Sequence, residues 1–297
     1  MEKVGIVIVT FNRLKLLKEE IESIRQQSYK KYSIVVVNNG STDGTETWLQ
    51  QQSDIITITQ ENLGCTGGMY TGIKYVTENG FDLCWVMDDD VEYKKNSLEE
   101  LVNSYHLTQS KVGFLCSRVE GIDGQAMNVP NVDIRPLANG YCNYYDMVEY
   151  QMIKVYAATF VSLMFSCDVV KKVGLPIKEF FIWGDDTEFT MRISRLFDCY
   201  LCCKSVAIHK RTLQGALSFE TEKDKKRLAN YFYRFRNTAY IIRHFEGNKA
   251  YWTNYFSLIK TFMRCLLRLQ KSKAVVILKV LVKSPFFNPI VKFPNLR

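Results

Sequence analysis

VGIVIVTFNRLKLLKEEIESIR, residues 4–25, is the stretch on which the fold turns. Val4–Thr10 is apolar on both faces, which suits a strand buried inside a parallel sheet rather than one with a wet side. After Phe11 the period changes. Leu14, Leu17, Ile21 and Ile24 recur at steps of three and four, the stripe of an amphipathic helix. Asn12 stands where an N-cap is expected. A buried strand that runs straight into such a helix opens a strand–helix–strand unit.

The same alternation continues outward. Ser33–Val37 reads as a second buried strand, and Asn39-Gly40-Ser41-Thr42-Asp43-Gly44 as a loop of turn formers. A short helix to about Gln51 and a strand at Ile55–Thr59 follow. Glu61–Gly68 is a glycine-bearing loop expected to open a helix through Tyr70, Ile73 and Val76; Asp82–Met87 is the next strand. Repetition of this kind implies an α/β fold with a Rossmann-like, mostly parallel sheet flanked by helices. In such sheets ligands bind beyond the carboxyl ends of the strands. The loops at Thr10, Asn38, Gln60 and Asp88 are therefore the ones to inspect. Farther on, strands are expected at Lys111–Arg118, Ala157–Cys167 and Tyr200–Ile208, with a long connection at 119–156 and a helix at Gly184–Phe197. From Glu220 the pattern is helical. This divides the chain into a catalytic domain at 1–215 and a basic, largely helical region at 216–297.

The 297 residues are 47% apolar and 24% charged, enough for a large core and too apolar for disorder. Nine cysteines, an odd number, argue against a disulfide framework. Cys199-x-x-Cys202-Cys203 lacks a second pair and reads as structural. The start has no basic n-region, and no apolar run reaches bilayer length, so a cytoplasmic location is expected. The net charge of +8 is uneven: ten of the 39 basic residues lie after Glu246, the last acidic one, leaving 29 against 31 before it. Trp252–Gln270 reads as an amphipathic helix, with Lys260, Arg264, Arg268 and Lys271 on one stripe and Tyr255, Ile259, Phe262, Met263 and Leu266 on the other. Either it packs on the catalytic domain with a solvated basic face, or it makes a peripheral contact with an anionic membrane. Tyr231, Tyr233, Arg234, Phe235 and Arg236 interleave aromatic and basic residues, but no nucleic-acid module accompanies them, and no nucleic-acid partner is expected.

Three features carry chemistry. Trp85-Val86-Met87-Asp88-Asp89-Asp90 puts three carboxylates just past a buried strand. Like charges held together out of water are costly, and a divalent cation removes that cost. Mg²⁺ or Mn²⁺ there would also hold a diphosphate. Trp183-Gly184-Asp185-Asp186-Thr187-Glu188 opens a helix with acids, which serve either as caps or as the base for an acceptor hydroxyl. His209 ends an apolar strand, placed either as a core histidine or as a metal ligand at the same sheet edge. Gly64-x-x-Gly67-Gly68 matches neither a dinucleotide fingerprint nor a Walker loop.

In this order, the motifs Val9–Arg13, Val37–Thr45, Asn62–Gly68, Trp85–Asp90, Ile182–Glu188 and His209 resemble family 2 glycosyltransferases of the GT-A fold, over roughly residues 4–211. They look most like the galactofuranosyltransferase and rhamnosyltransferase branches. The resemblance implies a GT-A catalytic domain with a C-terminal helical extension, and inverting transfer of galactofuranose, galactose or rhamnose from a nucleotide diphosphate. A UDP-sugar is favoured over dTDP-rhamnose, with a glycan or lipid-linked glycan as acceptor in surface polysaccharide synthesis. It further implies Asp88, Asp90 and His209 as ligands of Mn²⁺ or Mg²⁺. Asp186 would be the general base, with Asp185 competing. Thr10, Asn12, Arg13, Asn39, Asn62 and Gly67 would line the nucleotide pocket, and Asp89 would orient the donor. Two departures from the pattern stand out: many relatives carry an Asp against uracil where Asn38 or Asn39 stands, and Cys65 replaces a frequent glycine. A nucleotidyltransferase would be expected to carry a glycine- and lysine/arginine-rich triphosphate loop where Thr10–Arg13 stands. Against a non-catalytic sugar-binding or scaffold protein stand the intact acidic clusters.

Overall fold

The computed structural model describes residues 1–211 and 218–295 of the chain. The division expected between 215 and 216 lies outside the described residues. The first elements follow the expected order: β1 (Val4–Thr10), α1 (Leu14–Arg25), β2 (Tyr32–Asn38), α2 (Thr45–Leu49), β3 (Ile55–Thr59), α3 (Gly64–Glu78) and β4 (Leu83–Asp88). β1 pairs in parallel with β2 on one side and β4 on the other, with Thr10 opposite Asn38 and Val9 opposite both Val37 and Asp88. The carboxyl ends of three strands therefore stand side by side.

Each residue of β1 chooses a face by its parity. Ile6 and Ile8 join the core that holds Leu17, Ile21 and Ile24 of α1. Val7 and Val9 join the core that holds Met69, Ile73 and Val76 of α3. This gives helix, sheet and helix layers. Burial of each such side chain is worth roughly 1.5–3 kcal/mol, which pins the strand's register. A Cβ on Gly68 would lie 2.3 Å from a methyl of Val9, and one on Gly72 2.3 Å from a methyl of Val7. These glycines let α3 press against β1. α3 begins at Gly64, so the loop expected as far as Gly68 ends four residues sooner.

Next come β5 (Val91–Tyr93), α4 (Ser97–Leu107), β6 (Leu115–Gly121), β7 (Asn131–Val132), β8 (Met152–Ala157), β9 (Leu163–Ser166), α5 (Cys167–Val173), α6 (Asp185–Ser194) and β10 (Tyr200–His209). The strand order is β3-β2-β1-β4-β9-β6-β10-β8-β7, with β5 laid against β10. In this half the parallel pattern is interrupted. β9 runs antiparallel to β4 and β6, and β10 is parallel to β6 but antiparallel to β5 and β8. β8 and β9 run the same way, so residues 158–162 carry the chain across β10 and β6 to its new place without turning it back. The single strand expected at Ala157–Cys167 is thus the end of β8, a break, β9 and the first residue of α5. A chain of buried hydroxyls fills the middle of this region: Trp85 Nε1 donates to Ser162 Oγ at 3.0 Å, and Ser117 Oγ lies 2.6 Å from Ser162 and 2.7 Å from Ser205. All nine cysteines are free thiols; Cys199, just before β10, and Cys202, within it, are buried.

α7 (Lys225–Phe245), α8 (Asn248–Leu267) and α9 (Lys271–Lys283) form the C-terminal layer. They pack around Tyr231, Leu258, Ile277 and Val280, and Trp183 packs against the same cluster from the catalytic side. The helix expected at Trp252–Gln270 starts at Asn248 and stops at Leu267, so Lys271 belongs to the next helix. Among the described residues no helix is long and apolar enough to cross a membrane.

Candidate active site

Asp88 ends β4, and Asp89 and Asp90 make the turn into β5. β5 runs antiparallel to the end of β10, with Val91 opposite His209. This register carries His209 to the acidic turn across 119 residues of chain, and its Nε2 lies 3.0 Å from Asp90 Oδ1. Ligand atoms of Asp88, Asp90 and His209 all fall within 4.8 Å of one another. Arg13 Nη1 donates to Asp89 at 3.0 Å and Asp90 at 2.7 Å. Thr10 Oγ1 donates to the other oxygen of Asp89 at 2.8 Å. Both oxygens of Asp89 are thus engaged by protein groups, and so are both of Asp90, one by Arg13 and the other by His209.

The electrostatics fit a divalent cation. Burial, then the charge of Asp90, pushes Asp88 up to about 7. Burial also raises Asp89, to about 6, against the pull of Arg13 and Thr10. Burial works against the Asp90 anion too, but the hydrogen bond to His209 and the nearby Arg13 hold its carboxyl below the usual range. One guanidinium faces three carboxyls. The second observation is the imidazole. Its Nδ1 lies 2.9 Å from Asn128 Oδ1 while Nε2 meets Asp90. A neutral imidazole carries one N–H. With the Asn128 amide so oriented, one contact sets two acceptors together unless a proton or a metal ion stands between them. Asn128 also fixes the ring's orientation, as outer partners of metal-bound histidines do.

Behind this cluster lies a residue that no sequence motif singled out. Glu20 of α1 is buried, and both carboxylate oxygens lack a hydrogen-bond partner among the described residues. Burial and then the aspartates raise its carboxyl well above the ordinary range. Asn128, 81 residues from His209, was equally invisible inside the long polar connection.

The expected nucleotide wall is built from two loops tied together. Asn12 has a φ of 55°; its N–H donates to Ser41 Oγ at 3.0 Å and its Oδ1 accepts from the Thr42 N–H at 2.7 Å. It does not cap α1. That role falls to Asp43, whose carboxylate accepts from the Leu14 N–H at 3.0 Å from across the loop. Asn39 is buried and its amide is fully used: Nδ2 donates to Gly64 O and Asn62 Oδ1, and Oδ1 accepts from Gln60 Nε2 and the Leu63 N–H. Asn39 therefore shapes the loop at 60–64. Asn62 Oδ1 accepts from the Gly64 N–H at 2.9 Å. Gly67 is buried in the first turn of α3, where a Cβ would lie 2.5 Å from that of Leu63.

The second acidic motif sits on a contorted turn. Phe181, Trp183 and Gly184 all have positive φ, 66°, 63° and 88°. Such conformations persist only where surroundings enforce them. Asn237 of α7 does so. It is fully buried, and its Nδ2 donates to the carbonyls of Phe180, Ile182 and Trp183 at 3.0, 3.2 and 2.8 Å. Arg236 reaches Glu179 O at 2.6 Å and donates twice to Asn237 Oδ1. Arg236 of α7 is thus occupied inside the protein, and Tyr231 is buried against Trp183. Gly64 has a φ of +76°, and a Cβ there would stand 2.2 Å from Phe181 O, so the two loops meet backbone to backbone.

On this turn the two aspartates differ. Asp185 is buried with one oxygen lacking a hydrogen-bond partner among the described residues, and burial followed by the charge of Asp186 raises it to about 7. Asp186 is half-buried. One oxygen accepts from the Thr187 N–H at 2.6 Å and from Thr187 Oγ1 at 3.2 Å; the other takes part in no hydrogen bond among the described residues. Burial raises it to about 6, and the charge of Asp88 adds to the rise, so the two acidic motifs share one field. Gly184 and Thr187, on either side of the two aspartates in sequence, line a cavity of about 540 Å³ with Trp183, Tyr156, Arg211 and Arg234.

A family model described as Glycosyl transferase family 2 matches residues 5–174. An uncharacterised glycosyltransferase of Rickettsia prowazekii is 36% identical over 109 residues, 36% of this chain and 33% of its own. The chain spans about a third of the length of the first curated relatives it matches. Galactofuranosyltransferase GlfT1 of Mycolicibacterium smegmatis is 24% identical over 256 residues, covering 81% of this chain and 83% of its own. Among solved structures, GalNAc-T7 with UDP, GalNAc and Mn²⁺ superposes with a TM-score of 0.65 at 12% identity, over 96% of this chain and 57% of that one. Residues 1–349 of S. aureus TarS superpose with a TM-score of 0.58 at 14% identity, over 94% and 81%. These likenesses establish the GT-A fold.

Proposed function

This chain belongs to glycosyl transferase family 2, and from that premise we propose that it is an inverting, metal-dependent glycosyltransferase that moves a sugar from a nucleotide diphosphate to an acceptor hydroxyl. The observation that carries the reading is the meeting of two acidic groups at one sheet edge. Asp88, Asp90 and His209 form a ligand set, and Asp186 offers an unengaged oxygen within the field of Asp88.

Asp88, Asp90 and His209 would hold Mn²⁺ or Mg²⁺, which would supply positive charge for the diphosphate leaving group. The chain's own residues do the rest. Thr10 and Arg13 hold Asp89 toward the donor, and the tied loops at 38–44 and 60–64 wall the nucleotide. Thr187 anchors one oxygen of Asp186, leaving the other to take the acceptor proton as the new bond forms. A carboxyl raised to about 6 is a stronger base than an ordinary aspartate and is still ionised at neutral pH. The acceptor binds in the cavity beside Trp183 and Thr187. Because α7 supplies Asn237 and part of that wall, the working unit includes the first C-terminal helix.

UDP is bound in a TarS structure and in GalNAc-T7, the latter also with Mn²⁺, which supports a UDP-sugar donor here. The likeness to a galactofuranosyltransferase supports galactofuranose, with galactose and dTDP-rhamnose as the other donors to try, and a glycan or lipid-linked glycan acceptor in surface polysaccharide synthesis.

The test is calorimetry with UDP, dTDP and GDP, with and without Mn²⁺, on wild type and Asp90→Ala. Metal-dependent binding of one nucleotide, lost in the variant, is expected; no binding of any nucleotide would overturn the reading. Asp186→Asn is expected to abolish transfer while leaving donor binding within about twofold. Equal loss of both would remove Asp186 from its role.

A further inference from the structure

We propose that the α8–α9 hairpin is a docking surface for an anionic lipid bilayer. The apolar side of α8 is wider than the face it buries. Tyr251, Leu258 and Cys265 are buried against its neighbours. A second stripe, Trp252, Phe256, Ile259, Met263 and Leu266 at steps of four and three, faces outward, with Trp252, Phe256 and Met263 at least half exposed. An ordinary surface helix carries one apolar stripe and turns it inward. Val275, Leu278 and Val282 repeat the pattern on α9, likewise exposed. The end of α8 and the three-residue turn that follows present Leu267 and Leu269, 83% and 81% exposed, on either side of Arg268. Exposed apolar residues on this scale mark an interaction site.

Charge chooses the occupant. Lys260 and Arg264 lie on α8 and Lys279 on α9, all exposed, and from Gly247 onward the chain holds no acidic residue. A second copy of this chain would bring the same positive residues face to face. An anionic bilayer accepts both the apolar stripe and the flanking cations, and Trp252 suits the interface between headgroups and acyl chains. The surface lies on the same helical layer that receives Trp183, next to the acceptor cavity. The proposal does not rest on the catalytic reading.

Sedimentation of the full chain with phosphatidylcholine vesicles, with and without phosphatidylglycerol, tests it in the absence of any donor. Wild type is expected to sediment with the anionic vesicles and to be released by salt. Leu267→Glu with Leu269→Glu removes two side chains that are already in solvent, so the fold should survive and vesicle binding should disappear. Arg264→Gln with Arg268→Gln should weaken partitioning about fivefold per charge. If the leucine variant does not fold, a blue shift of fluorescence on vesicle addition, present in wild type and missing in Trp252→Phe, supports the same surface. No sedimentation of wild type at low salt overturns the proposal. So does a wild-type dimer that ignores vesicles and is split by the leucine variant, because the surface would then belong to a second copy. Either failure leaves nucleotide binding, and thus the catalytic reading, untouched.

Discussion

Replacing Asn237 by alanine tests whether a residue outside the acidic motifs holds the catalytic turn in shape. The two N–H groups of its amide span three buried carbonyls, and its oxygen takes both contacts from Arg236. Each lost hydrogen bond is worth about 1 kcal/mol net, and each buried acceptor left unpaired costs a further 1–3 kcal/mol or so. Some relaxation is expected, so the sum is about 3–5 kcal/mol, or a fall in Tm of roughly 10 °C for a chain of this size. Phe181 and Trp183, held at positive φ, would then relax toward ordinary backbone and carry Asp186 with them. A displacement near 1 Å at the base is worth about a hundredfold in kcat, with donor KM changed far less. Asn237→Asp sharpens the test. It keeps the shape and the partner of Arg236, but turns a carboxylate toward three carbonyl oxygens, so it should be no better than alanine. Urea denaturation gives the stability, and steady-state transfer kinetics give the split between kcat and KM. A stability loss under about 1 kcal/mol, or full kcat in a clearly destabilised variant, would refute the claim that Asn237 sets the turn.

Gly64→Ala pits a Cβ against Phe181 O at 2.2 Å in a left-handed backbone, whereas Gly80→Ala meets the same backbone constraint with nothing within 4 Å. Gly80→Ala should therefore lose about 1 kcal/mol and no nucleotide affinity, while Gly64→Ala should lose more stability and at least about tenfold in affinity; equal behaviour by thermal melting and calorimetry would mean the loops do not need their contact. Asp88, Asp89, Asp185 and Asp186 have carboxyls raised by burial, so between about pH 4 and 7 the folded metal-free protein holds more protons than the unfolded chain. Its stability should fall as pH rises through that window, and Mn²⁺, which needs Asp88 ionised, should raise Tm more at pH 8 than at pH 6; a larger shift at pH 6 would show that these carboxyls do not bind the ion.

The sequence alone determined what depends on local period. A residue's parity in β1 and the three-and-four spacing of Leu14, Leu17, Ile21 and Ile24 decide burial over a few ångströms, so the first strands and helices could be read directly. The acidic motifs were legible for a related reason: three adjacent carboxyls at a strand end are a local fact whatever surrounds them. Their company was not. That His209 reaches Asp90 follows from the β5–β10 register, and Asn128, Glu20 and Asn237 join the site only because distant segments fold against it. The break that splits Ala157–Cys167 and the antiparallel pairing of β9 were hidden for the same reason, since an apolar run reads alike whichever way it pairs. The exposed second stripe of α8 also needed the packed structure, because periodicity shows that a face is apolar but not whether another element covers it. Local spacing fixes which groups a segment can offer. Which of them meet is settled by pairing and packing between segments about a hundred residues apart, a free energy that no short window of sequence contains.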